Sequence, residues 1–219
     1  MAEALLLEWR GSVAIVSFNR PETRNALDLA MRSELADAIA DLGRRSDLTA
    51  LVLTGAGGHF CSGGDLAALR AREPGVAAGR RRIRDTHSWV HALLAFERPV
   101  FAAVDGAAFG GGFNLALAAD RILATPRARF CQVFGRIGMV PDLSGMAILP
   151  RSVWLGRAKR AILTGEVLTA SDAMDLGLVH RIVDPLEVLD AAVAEAGKIS
   201  PERARLFGEV KAAWWSRGF

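Results

Sequence analysis

The sequence predicts an α/β fold, and three observations predict it. Short apolar runs recur at Leu5–Trp9, Val13–Phe18, Ala50–Thr54, Pro99–Val104 and Arg121–Ala124. Stretches with apolar residues at helical spacing alternate with them. Glycine clusters stand where two of the runs end, at 55–58 with 63–64 and at 110–112. Strands alternating with helices argue for parallel pairing, with ligand sites at the strand ends.

Each element follows from local chemistry. Arg10-Gly11-Ser12 joins the first two runs as a hairpin, and Asn19-Arg20-Pro21-Glu22 breaks the pattern. Asp28 is placed to cap a helix through Gly43, with Leu29, Leu35, Ile39 and Leu42 near helical spacing. Ala50–Thr54 is a strand, and Gly63-Gly64 precedes a short helix from Asp65. Gly79–Phe96 reads as a long helix, and Pro99–Val104 as a buried strand ending at Asp105-Gly106. Gly110-Gly111-Gly112 opens a helix at Phe113–Ala119; Arg121–Ala124 is a strand, and Arg129–Val133 a candidate for another. From Trp154 onward the pattern is helical apart from Val179–Val183, which divides the chain into a core at 1–153 and a helical C-terminal arm at 154–219.

Composition excludes several classes. The chain has 219 residues, 51% hydrophobic and 23% charged, which is ordinary for a globular protein. Net charge is +3 and lysine occurs only at Lys159, Lys198 and Lys211, too little excess for a nucleic-acid partner. No uncharged run approaches the ~20 residues that span a bilayer, and the N-terminus has no basic leader followed by a long apolar stretch. A cytoplasmic protein without a membrane partner is expected. Cys61 and Cys131, in apolar runs without a CxxC pair, are expected to be buried reduced thiols.

The glycine loops carry the chemistry. Neither is a dinucleotide fingerprint or a Walker motif, and the chain has no Gly-x-Ser-x-Gly elbow and no zinc-spaced cluster. Each loop delivers glycine to a helix start directly after a strand. Such a start offers unpaired N–H groups, and two of them aimed at one point would hold an oxyanion. Tight turning alone is the alternative use of these glycines.

Particular residues then resemble a family. Asn19-Arg20-Pro21-Glu22-x-Arg24-Asn25-Ala26-Leu27, Phe60-Cys61-Ser62-Gly63-Gly64-Asp65-Leu66 and Pro99-Val100-x5-Asp105-Gly106-x3-Gly110-Gly111-Gly112 occur in order. Phe130, Gly138-x-x-Pro141-Asp142, Leu149-Pro150-Arg151, Leu163-Thr164-Gly165 and Ala173-x3-Gly177-Leu178-Val179 follow. Together these resemble the crotonase, or enoyl-CoA hydratase/isomerase, superfamily over about residues 5–200. The resemblance implies a spiral of ββα units and a homotrimer or hexamer, with the C-terminal arm in oligomerisation. It implies an acyl-CoA substrate, with coenzyme A as part of that substrate and no separate cofactor or metal. It implies an oxyanion hole from the amides of Gly64 and Gly111, and a coenzyme cradle from Arg24, Ala26, Ser62, Asp65 and Leu66. Arg24 could meet a phosphate or simply be solvated.

The carboxylates select the reaction. Hydratases of this family use two glutamates. At the matching positions this chain has Asn114 and Phe134. Asp142 matches the single base of the double-bond isomerases, and Phe134, Ile137 and Met139 are expected to surround it. A turn or helix-capping aspartate is the bland alternative. His91, with Phe134 and Asp142, also resembles the aryl-CoA dehalogenases, in which the aspartate is a nucleophile, so dehalogenase or hydrolase, hydratase and non-catalytic acyl-thioester binder stand as alternatives. A carrier-protein thioester would present the same pantetheine arm. His87 and His91 form an i, i+4 pair without a third metal ligand in sight. Arg80-Arg81-Arg82-Ile83-Arg84 reads as a solvated helix face or a coenzyme phosphate contact. Trp214 and Trp215 are expected at a subunit interface, or as a cap on the pocket.

Overall fold

The computed structural model describes residues 3–71 and 75–216. β1 (Leu5–Arg10) and β2 (Val13–Phe18) form the hairpin. α1 (Leu29–Gly43) begins where the Asp28 carboxylate accepts the Met31 N–H at 2.8 Å. Its buried face is Met31, Leu35, Ile39 and Leu42. Leu29, expected in that stripe, is exposed, because it lies about 200° round the helix from Met31.

Three strand–strand–helix units follow. The first is β3 (Ala50–Gly55), a single-residue bridge at Cys61 and α2 (Leu66–Arg70). α3 (Val76–Leu94) leads to the second, β4 (Val100–Val104), β5 (Ala107–Phe109) and α4 (Gly111–Ala118). The third is β6 (Arg121–Ala124), β7 (Arg129–Cys131) and α5 (Gly145–Ser152). Then come α6 (Leu155–Thr164), β8 (Val167–Thr169), α7 (Ala170–Asp175), β9 (Arg181–Ile182), α8 (Val188–Ala196) and α9 (Pro201–Ser216).

The leading strand of each unit joins one sheet, in the order β1-β2-β3-β4-β6-β9, parallel from β2 onward. The second strands stack beside it: Cys61 bridges Ala108, β5 runs parallel to β7, and β8 closes antiparallel. Each unit therefore advances one step along two sheets, which is a spiral. Both faces of the large sheet are covered, as parallel sheets require. Leu51, Leu53, Ala102 and Val104 point into the main core with α1, α3 and α4, while Val52, Ala50, Phe101 and Ala103 point to a second core under α8.

That second core corrects the sequence reading of the C-terminal third. β8 and β9 pair with strands of the core, and Val188, Ala192 and Ala196 of α8 cover the back of the large sheet. Residues 154–199 are thus built into the core rather than forming a separate helical arm. β5 and β8 were not expected, being only three residues long. α9 is anchored by Lys211, 1% exposed, whose Nζ donates to Asp120 at 2.6 Å. Asp120 also accepts the Val100 N–H at 2.8 Å. Burial pushes the Lys211 ammonium down and the Asp120 carboxyl up, their mutual attraction opposing both shifts.

Candidate active site

The loop after β3 is tied down by polar side chains. Asn25 is fully buried at a φ of 58°. Its Oδ1 accepts the Arg20 N–H, and its Nδ2 donates to the carbonyls of Ala56 and His59 at 2.9 and 2.7 Å. Arg20 donates to the Ala26 carbonyl at 2.7 Å and pairs with Asp28 and Asp65 at 3.3 and 3.2 Å. Asp65 also caps α2, accepting from Ala67 and Ala68, and these bonds, the one from Ala68 foremost, hold its carboxyl below the usual range. The sequence reading missed Arg20 as the organiser of this loop.

The resulting ladder aims Gly64. Leu27 donates to the Gly63 carbonyl at 2.7 Å and accepts the Asp65 N–H at 3.2 Å, forming a parallel bridge to Gly64. In such a bridge the opposed residue's own N–H faces the other way. Gly63, at a φ of 95°, brings the loop against α4: a Cβ there would lie 2.7 Å from the Phe109 carbonyl oxygen and 3.4 Å from the Gly111 nitrogen. Gly111 is the first residue of α4, so its N–H has no partner within the helix. Among the described residues no acceptor takes either N–H.

Both glycines line one cavity of about 130 Å³, together with Ser62, Leu66, Phe134 and Asp142. The Asp142 Oδ1 lies 3.6 Å from the place a Cβ on Gly111 would occupy. The turn that carries Asp142 is held from behind. Asn114, fully buried on α4, donates from Nδ2 to the Asp142 carbonyl at 2.8 Å and accepts from Gln132 Nε2 at 2.7 Å. The Gly145 N–H reaches the same carbonyl at 3.0 Å. Leu143 and Ser144 both sit in the left-handed region, at φ of 50° and 59°, a costly backbone for such residues. Ser144, not Asp142, stands at the N-cap of α5. Asn114 is therefore more than a missing glutamate: it fixes the turn beneath Asp142.

Other expected site residues lie elsewhere. Arg24 is exposed; its carbonyl accepts the Ser62 N–H at 2.9 Å, and Ser62 Oγ donates to the Thr23 carbonyl at 3.0 Å. Ala26 is buried beneath Arg20. His91 does not border the cavity: its Nε2 donates to the Trp215 carbonyl at 3.3 Å on α9. It is His87, one turn earlier on α3, that faces a neighbouring cavity also lined by Asp142. Trp215 packs partly against the core and Trp214 stacks edgewise on Phe207, so neither caps the cavity. The side chain of Arg82 lies outside the described residues.

The two thiols are buried, burial pushing Cys61 up to about 12 and Cys131 upward as well. His59 and His180 accept the backbone N–H groups of Ala107 and Ile122 at 3.1 and 3.0 Å, and burial lowers the pKa of both.

The spiral of ββα units, with two backbone amides and a carboxylate at one cavity, defines the class: crotonase-fold acyl-CoA enzymes. The chain belongs to the enoyl-CoA hydratase/isomerase family, whose sequence model, described as Enoyl-CoA hydratase/isomerase, matches residues 8–214. It is 35% identical over 196 residues to a short-chain-enoyl-CoA hydratase of Clostridium acetobutylicum, spanning 89% of this chain and 74% of that protein. It is 32% identical over 215 residues to the 1,2-epoxyphenylacetyl-CoA isomerase of Escherichia coli, spanning 97% and 82%. The fold matches a crystal structure of an enoyl-CoA hydratase/isomerase from Cupriavidus metallidurans with a TM-score of 0.88 at 35% identity, covering 97% of this chain and 80% of that one. No helix of the described residues is long and apolar enough to cross a membrane.

Proposed function

We propose that the protein is an enoyl-CoA isomerase that moves the double bond of a 3-enoyl thioester into conjugation. The observation that carries this reading is the placement of the Asp142 carboxylate against the first residue of α4, in the same cavity as Gly64 and Gly111. The thioester oxygen would accept both N–H groups. Asp142 would take a proton from C2, and the electron pair would move onto the thioester oxygen, giving a dienolate. Asp142 would then return the proton to C4 as the double bond forms between C2 and C3. Each N–H matters most when the oxygen is fully charged, and losing one such donor typically costs about 10²–10³ in rate.

One carboxylate suffices for this sequence, whereas adding water calls on a second acid or base. The relatives named hydratases favour water addition, but Asn114 here is committed to the Asp142 carbonyl and Phe134 carries no proton. The dehalogenase or hydrolase reading loses His91, which faces α9, and would have to draw on His87, which lines the cavity adjoining Asp142. Ser62 and Leu66 at the cavity, with Arg24, Ala26 and Asp65 on the adjoining loops, form the proposed coenzyme A cradle. The reaction needs no further cofactor. A cytoplasmic homotrimer or hexamer is part of the same reading, its self-assembly supported by the row of exposed Leu206, Val210 and Trp214 along α9.

Asp142→Asn tests the assignment. The expected result is a fall in kcat of about 10²–10⁴-fold, the range for loss of a general base, with binding of a saturated acyl-CoA retained. Solvent deuterium should no longer enter C2 or C4. Undiminished isomerisation by the variant would remove Asp142 from its role, and absence of exchange in the unaltered protein would mark a binding protein instead.

A further inference from the structure

We propose that Arg32 selects an acyl group bearing a carboxylate beyond the reacting carbons. The proposal rests on the reading of the cavity as an acyl-thioester site, and it names the class of acyl group. Arg32 lies on the first turn of α1 and is half-buried. It lines the cavity of Gly64 and Gly111 and also the larger one, about 450 Å³, that continues between α1 and α3. Met139 and Asp142 line both as well, so the two spaces adjoin.

The Arg32 guanidinium is little used by the protein. Nε donates to the Leu27 carbonyl at a long 3.4 Å, and among the described residues no carboxylate forms an ion pair with it. A partly desolvated cation without an anion is costly, and its planar fork of donors fits a carboxylate in two bonds. The far cavity is no plain hydrocarbon slot either: Ser33, Thr86 and His87 face it beside Trp89. An acyl chain whose thioester oxygen meets the two amides would run past Asp142 into this space, with Arg32 alongside. Asp85 and Asp142 also face the space, so an amine-bearing acyl group is the competing occupant.

Calorimetric titration with matched saturated thioesters tests the proposal without turnover: glutaryl-CoA against pentanoyl-CoA, adipyl-CoA against hexanoyl-CoA, and β-alanyl-CoA. The acidic member of at least one pair should bind about tenfold to a hundredfold more tightly, as a charge-assisted paired contact allows. Arg32→Leu should erase that preference while leaving the neutral thioesters and coenzyme A itself unchanged, and Arg32→Lys should keep part of it. Equal affinities within both pairs, preference for the neutral or amine-bearing thioester, or equal weakening of all ligands by Arg32→Leu would overturn it. Acidic preference in a protein that isomerises nothing would uphold Arg32 and overturn the isomerase reading alone.

Discussion

The first and second ββα units look alike in sequence, each a strand, a glycine loop and a helix start, yet they hold their amides by different means. α4 of the second unit is buried at all eight residues and is fixed by packing. α2 of the first unit has five residues, and Gly64 before it is held by the Arg20–Asp65 pair, the Asn25 bonds and the ladder to Leu27. One amide rests on close packing and the other on polar ties. The difference teaches that the same local motif can be set by volume or by charge, and the two should fail differently.

The largest effect is expected where packing is tightest. A Cβ on Gly112 would stand 2.1 Å from the Cys61 carbonyl oxygen, a backbone atom that cannot step aside. Gly112→Ala should lower stability by about 3 kcal/mol or more, or prevent folding, measured by thermal and urea melts. Next comes Asn114→Leu, which leaves Gln132 without its buried partner and the Asp142 carbonyl with the Gly145 N–H alone. A loss of about 1–3 kcal/mol is expected, and if Asp142 is the base, kcat should fall more than KM rises because Asp142 shifts while the loops around Gly64 stay. A rise in KM alone would show that Asn114 does not position Asp142.

On the polar side, Arg20→Met should cost only about 1 kcal/mol, because its carboxylate partners remain part-solvated. Its mark should be a raised KM that high salt imitates in the unaltered protein. The smallest effect is on pH. His59 of the first unit accepts the Ala107 N–H of the second, and burial holds its pKa below 6.5 in the folded state. The unfolded chain then binds the proton first as pH falls, so this contribution is complete above pH 6.5 and declines as pH drops toward the folded value. His59→Asn should flatten that part of a stability–pH curve, leaving the share due to His180.

The sequence made α1 readable because a capping aspartate and a regular apolar stripe lie within one short window. The parallel strands were readable for the same reason, as runs buried on both faces. The polar ties were not. Asn114 to Asp142 spans 28 positions and Lys211 to Asp120 spans 91, and no local pattern marks either pair. Gly64, Gly111 and Asp142 were singled out by resemblance, and the structure brings them to one cavity; the resemblance gave positions but not supports. His91 was expected at the pocket but meets α9: residues four apart share a helix face but lie about 6 Å apart along it, which leaves His87 at the adjoining cavity and His91 beside Trp215. The role of β8, β9 and α8 in the core escaped because the strands are too short to show alternation.

The pair of left-handed residues after Asp142 has a consequence for anyone engineering this protein. Glycine at 144 would relax an unfavourable backbone and tempt any search for thermal robustness, whereas at Leu143, fully buried in the core, it would leave a cavity. The relaxation at 144 would let the carboxylate drift from the amides, so heat tolerance gained at this corner would be taken from turnover.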